Sequence, residues 1–327
     1  MRYLLRRLGF LLFTGWAALS INFILPHLMP GDPAQVMIAK FQGRLNPQAL
    51  KALSDAFGLT ADKSLFVKYL EYWQRIFSGD LGFSLTYYPA KVTEVLADAI
   101  PWTIGLVGLG TIIAFTLGTL LGIISAWKRN SPLADILVPT ALFFNSIPYF
   151  WLSLLMLYLL AYQLEWFPLG GGFDVFAIMG IWDKVGSIVY HAILPLTTIV
   201  ITAMGGWLLT MRNNMMSVLA DDYIIFARAK GLSDRRIKYK YAARNAILPS
   251  FTGFSMALGF VIGGSLLTEV VFSYPGLGYI LYQSVISLDY PLMQAIFLFI
   301  SLAVLLANFM ADFIYAILDP RVKEGGE

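Results

Sequence analysis

The side chains that acid–base or metal chemistry near neutral pH would use first are two histidines, His27 and His191, and they fall in different apolar stretches of the chain. Cysteine is absent. Neither the H-E-x-x-H pairing that holds zinc on one helix face nor the G-x-S-x-G turn that exposes a nucleophilic serine occurs. The G-x-x-x-x-G-K-[ST] loop that cradles nucleotide phosphates is missing too. A catalytic role, a metal site and a cofactor site within this chain are therefore not expected. Two other groups of residues stand out. Asn145, Ser146, Ser153 and Glu269 are polar residues inside or at the edge of long uncharged runs, where a polar group either lines a solute pathway or is satisfied by packing. Glu269 keeps two readings, a partner for a substrate amine or a carboxylate in the headgroup layer. The second group is a basic stretch from Arg212 to Arg244, interrupted by Gly231-Leu232-Ser233.

The elements that must position these residues follow from composition. Of 327 residues 58% are hydrophobic and 13% charged, and the mean hydropathy is +0.70, too apolar for a soluble domain of this length. Six windows, 8–31, 101–125, 136–164, 185–211, 245–268 and 290–311, contain no Asp, Glu, Lys or Arg. Each is long enough for the about 20 residues that cross roughly 30 Å of hydrocarbon. The expected fold is an all-α integral membrane protein of six transmembrane helices. Arg2, Arg6 and Arg7 precede the first window as in a signal peptide, but the window is long and lacks a small-x-small cleavage site, so it reads as a retained helix.

Basic residues are held on the cytoplasmic side of a membrane. Placing the N-terminus inside puts fifteen of the 23 lysines and arginines there, including the whole Arg212–Arg244 cluster. Both termini are then expected to be cytoplasmic. The expected organisation is a first span over 1–31, an external loop over 32–100, a five-helix core over 101–319 that contains a cytoplasmic loop over 212–249, and a tail over 320–327. In the external loop, 46–57 and 64–77 show amphipathic helical spacing, and cover for an entrance or simple solvated decoration both fit it. In the inner loop, Gly231 suits a left-handed cap ending a helix over 222–230, and Ser233 suits a start for a second over 234–245. Tyr223, Phe226 and Ala227 are spaced to share one face of the first, beside Arg228, Ala229 and Lys230. Insertion into a groove on another protein fits that face, and so does a basic anchor on membrane lipid phosphates. Gly118-x-x-x-Gly122 and Gly259-x-x-x-Gly263 are spaced for close helix contact, and Pro139, Pro148 and Pro195 for kinks.

The stretch Ala227-Arg228-Ala229-Lys230-Gly231-Leu232-Ser233 followed by Arg244-Asn245-Ala246-Ile247-Leu248-Pro249 resembles the cytoplasmic signature of binding-protein-dependent ABC permeases, and more narrowly the oligopeptide/dipeptide permease family. Pro30-Gly31-Asp32-Pro33, Gly79-Asp80-Leu81-Gly82, His191-Ala192-Ile193-Leu194-Pro195, Phe272-Ser273-Tyr274-Pro275-Gly276, Asp289-Tyr290-Pro291 and Asp319-Pro320-Arg321 extend the likeness along nearly the whole chain. The general signature opens Glu-Ala-Ala, and this chain has no acidic residue there, as is usual in the peptide branch. The resemblance implies the type I ABC importer permease fold and the B-type subunit of a permease pair in the cell inner membrane. It implies a coupling helix, with Tyr223, Phe226, Ala227, Arg228, Ala229, Lys230 and Gly231 meeting an ATPase. It further implies a second permease, two ATP-binding-cassette subunits that hold ATP and Mg on their own chains, an external solute-binding protein, surrounding lipid and no nucleic acid. Cargo is expected to be peptide, with oligosaccharides and nickel chelates as alternatives. An ion-coupled carrier is the rival class, and it would call for more intramembrane carboxylates than Glu269 and Asp312.

Overall fold

A computed structural model describes residues 2–30, 63–175, 177–178, 180–263 and 265–318. Helices dominate. In chain order they are α1 (Arg2–Leu28), α2 (Leu65–Ser78), α3 (Val92–Trp127), α4 (Pro132–Ser146), α5 (Tyr149–Gln163), α6 (Ile181–Val218), α7 (Asp222–Ala229), α8 (Arg244–Gly259), α9 (Leu266–Val271), α10 (Leu277–Ile286) and α11 (Tyr290–Leu318). The helix expected over 46–57 and the tail over 320–327 lie outside the described residues.

The expectation of six membrane crossings is not what these helices give. Among the described residues four are long and apolar enough to cross, α1, α3, α6 and α11, or five if the bent pair α4 and α5 is one crossing. The window 136–164 is bent by 95° between Ser146 and Tyr149. Proline disfavours helical backbone in the residue before it, and Ile147 is accordingly extended (φ −79°, ψ 126°) ahead of Pro148. Pro148 therefore breaks the helix rather than kinking it. The window 245–268 is interrupted as well. It divides into the 16-residue α8, a short 3₁₀ turn at Val261–Gly263 and the six-residue α9. The charge-free part of α8, 245–259, rises only about 22 Å, less than the hydrocarbon thickness. Gly259 ends α8 and Gly263 lies in the turn, so that glycine pair does not share a helix. The six-crossing count falls, and with it the argument that set both termini on the cytoplasmic side.

The chain forms two compact units, Met1–Trp102 with Pro275–Glu327, and Thr103–Tyr274. In the first, α1 packs along α11, and Asn22 Nδ2 donates to Ser301 Oγ at 3.1 Å. Across them α2 begins at Ser64, whose hydroxyl accepts the Val67 N–H at 3.4 Å. The Asp289-Tyr290-Pro291 motif gains a physical account here. Asp289 is fully buried. Its Oδ2 accepts the Ser84 hydroxyl at 2.6 Å and the Thr86 N–H at 2.8 Å, while Oδ1 accepts the Leu292 N–H at 3.2 Å in the first turn of α11. One carboxylate caps a spanning helix and clamps the segment after Gly79-Asp80-Leu81-Gly82. Asp289→Ala strands a buried hydroxyl and an amide, each costing about 1–3 kcal/mol. A clear fall in detergent melting temperature is expected, with Asp289→Asn intermediate. An alanine variant as stable as the parent would refute the clamp.

The second unit is organised by α6, 38 residues long, which packs against α3, α4, α5 and α8. Its contact with α3 is made backbone to backbone. A Cβ at Gly118 would lie 2.6 Å from the Met204 carbonyl oxygen, and one at Gly122 would lie 2.6 Å from that of Leu208. The spacing read from the sequence thus marks a helix contact that no side chain larger than hydrogen permits.

Candidate functional site

The first candidate site is the turn from α6 through α7 to Gly231. Its anchor is buried. Ile224 and Ala227, three residues apart on α7, enter a core with Ile123 and Ala126 of α3, Met211 and Met215 of α6, and Ile237, Ala242, Ala243 and Ala246. Ala227 therefore faces inward, away from Tyr223 and Phe226, and the face expected from the sequence is divided. Outward lie Tyr223, Ile225 and Phe226, 36%, 58% and 67% exposed, together with Arg228, Ala229, Lys230 and Gly231. Arg228 sits over the Trp127 ring at 6.0 Å, a cation–π contact back to the end of α3. Asn245 Nδ2 donates to the Tyr223 hydroxyl at 2.8 Å and ties α7 to α8. The sequence contained the signal that was missed, the apolar i, i+3 pair Ile224 and Ala227.

Gly231 closes α7 as expected. Its φ is +72°, the Gly231 N–H donates to the Arg228 carbonyl at 2.9 Å, and the Leu232 N–H donates to the Ala227 carbonyl at 3.3 Å. These are the two reverse bonds of a Schellman ending, and the Leu232 side chain packs on the cluster that holds Ala227. Ser233 differs from expectation. Its side chain makes no capping bond, and its backbone carbonyl receives the Arg236 and Ile237 N–H groups instead. Nor is the second helix a separate element. From Asp234 it continues through a π-helical stretch, Ile237–Ala243, directly into α8. A load on α7 therefore reaches α3 and α6 through the buried cluster, and α8 through the chain itself.

The second candidate is a cavity of about 440 Å³ at the break between α4 and α5. Asn145, Ser146 and Tyr149 line it from the break, Thr202 from α6 and Ser265 from the turn before α9, with no charged residue among the described lining residues. Of the four polar residues singled out earlier, it brings together Asn145 and Ser146 alone. Ser153 is buried within α5 and donates to the Tyr149 carbonyl at 3.0 Å. Glu269 is fully buried on α9, where Oε1 accepts the Thr103 hydroxyl at 2.9 Å. It does not line the cavity, and its side chain is enclosed by protein. Burial, reinforced by the Glu269 carboxylate, pushes the Tyr274 phenol up to about 12. Among the described residues no three His, Asp or Glu side chains come together as a metal site.

Comparison with known proteins places this geometry. Residues 118–324 match the family model described as "Binding-protein-dependent transport system inner membrane component". The chain is 34% identical to a di/tripeptide transport system permease protein of Pseudomonas aeruginosa, the match covering 98% of both chains. It is 31% identical to an oligopeptide transport system permease protein of Bacillus subtilis over 93% of both, and 30% identical to a dipeptide transport system permease protein of Escherichia coli over 99% of both. A buried-root, exposed-tip helix among membrane-crossing helices, within a match that runs almost end to end, makes this chain a multi-pass, non-catalytic member of the family of inner-membrane components of binding-protein-dependent transport systems.

Proposed function

We propose that this chain is one of two permease subunits of an ATP-driven importer of peptides. A second permease completes the pathway, an external binding protein delivers the solute, and two separate ATPase subunits hold ATP and Mg. The observation that carries the reading is α7, whose exposed Tyr223, Ile225 and Phe226 face away from a root buried at Ile224 and Ala227. An exposed apolar tip of this kind fits a groove on a partner, and the near-full-length similarity to peptide permeases supports an ATPase as that partner.

ATP-driven closure of the ATPase pair would draw the α7 tips together and rock α3 and α6, to which α7 is rooted, between inward-open and outward-open states. Within the second unit, the uncharged cavity beside Asn145 and Ser146 fits a pathway that admits solutes of differing charge, leaving selection to the binding protein. The test uses tagged chain co-expressed with its second permease and ATPase. Phe226→Asp places a charge on the tip without touching the buried root. Recovery of ATPase with the chain is expected to fall at least tenfold, with the second permease retained. Undiminished ATPase recovery would overturn the docking role.

A further inference from the structure

The helix α2 carries three stripes, and the central one is turned to the protein core. Tyr69, Tyr72 and Ile76 pack toward Leu19 and Phe23 of α1 and Leu298 of α11, with the Tyr69 and Ser20 hydroxyls 2.7 Å apart. On one flank, Phe66, Leu70 and Phe77 recur at i, i+4 and i+11 and are 68%, 53% and 82% exposed, while Trp73 between them also packs on that core. On the other flank are Lys68, Glu71 and Arg75. These three line a small pocket of about 70 Å³ with His27 and Gln294, where α1 ends and α11 begins.

The order of these contacts along α1 and α11 gives α2 a direction. Its polar flank lies beside the ends of two membrane-crossing helices. Its apolar flank therefore faces their middles, at a level where α1 also exposes Ile21, Ile24 and Leu25. Such a helix sits along the membrane–water boundary with hydrocarbon on one side. The pocket adds a second observation. Tyr72 lines the pocket and is only 8% exposed, and its buried hydroxyl has no hydrogen-bond partner among the described residues. Burial pushes this phenol up to about 12, so it is a proton donor at any physiological pH. Glu71 is engaged by Lys63 at 2.5 Å, leaving Lys68 and Arg75 as cations facing the pocket.

We infer that α2 is a phospholipid-binding helix, with acyl chains along Phe66, Leu70 and Phe77 and the lipid phosphate in the pocket formed by Lys68, Tyr72 and Arg75. The phosphate supplies the acceptor that the Tyr72 hydroxyl lacks and the anion that the two cations favour.

The absence of cysteine from this chain allows a direct test in the complete transporter, assembled with cysteine-free partner subunits and reconstituted in phosphatidylglycerol vesicles. Single variants Phe66→Cys, Leu70→Cys, Phe77→Cys and Glu71→Cys carry nitroxide labels, and collision with oxygen is compared with collision with a water-soluble nickel chelate. Labels at 66, 70 and 77 are expected to favour oxygen severalfold, and the label at 71 the chelate. Chelate access at 66, 70 and 77 means a solvated helix, and access by neither probe means a protein partner covers the stripe. Either result overturns the proposal. For the phosphate, native mass spectrometry of Lys68→Gln/Arg75→Gln should show at least a severalfold loss of retained phosphatidylglycerol but not of diacylglycerol. Equal effects on the two lipids, or none, would overturn the phosphate site.

Discussion

Gly122→Val is expected to destabilise the protein more than any other single change considered, with Gly118→Val close behind. A Cβ at Gly122 meets the Leu208 carbonyl oxygen at 2.6 Å and the Met211 Cβ at 2.8 Å. Neither neighbour is the free end of a flexible side chain, so α3 and α6 must move apart. Overpacking typically costs about 1–3 kcal/mol, and a backbone obstacle sets the upper end of that range as the minimum here. The damage would spread, because Ile123, Ala126, Met211 and Met215 beside this crossing also hold the root of α7. Gly186→Ala on the same helix α6 is the control. Its Cβ would meet nothing within 4 Å, and alanine in a helix interior gains roughly 0.5–1 kcal/mol over glycine. Detergent melting curves should show a large loss at 118 and 122 and none at 186. Equal melting temperatures for the three variants would contradict the close crossing.

Gly231→Val should separate ATP hydrolysis from transport without unfolding the protein. A Cβ at Gly231 finds open space, so the penalty is conformational only. At φ +72° a left-handed residue with a side chain costs about 1–2 kcal/mol, and a β-branched one more. Rotation of residue 231 out of that region removes the two reverse hydrogen bonds from Gly231 and Leu232. The end of α7 then loses its fixed direction while Ile224 and Ala227 still hold its root. Solute uptake per ATP hydrolysed is expected to fall about tenfold or more, with expression and melting temperature near those of the parent. Gly231→Asn, which tolerates left-handed backbone better, should fall between the two. Parallel loss of expression and of both activities would make Gly231 a structural residue alone.

Charge-free windows announced the long crossing helices α1, α3, α6 and α11, because a helix in hydrocarbon must exclude charge along its whole length. The same criterion overcounted crossings, since it is blind to backbone. Pro148 was visible, but a proline in an apolar run does not state whether it will kink a helix or turn it by 95°. Gly259 and Gly263 matched a helix-packing spacing and instead flank a break. At the candidate site, Gly231 was legible because left-handed backbone has a residue signature. The inward direction of Ala227 was not, because a small residue fits a docking face and a tight core equally well. Asp289 stood in a recognisable motif, yet its partners Ser84 and Thr86 are some two hundred positions away and only the fold brings them together.

The most direct test of the account is ATP hydrolysis by the complete assembly of this chain, its second permease, the ATPase subunits and the cognate binding protein in liposomes, with and without di- and tripeptides. Peptide is expected to raise hydrolysis severalfold above the basal rate only when the binding protein is present, and Phe226→Asp should abolish the rise. An assembly that recruits no ATPase, and whose solute uptake follows an imposed ion gradient instead, would contradict the account.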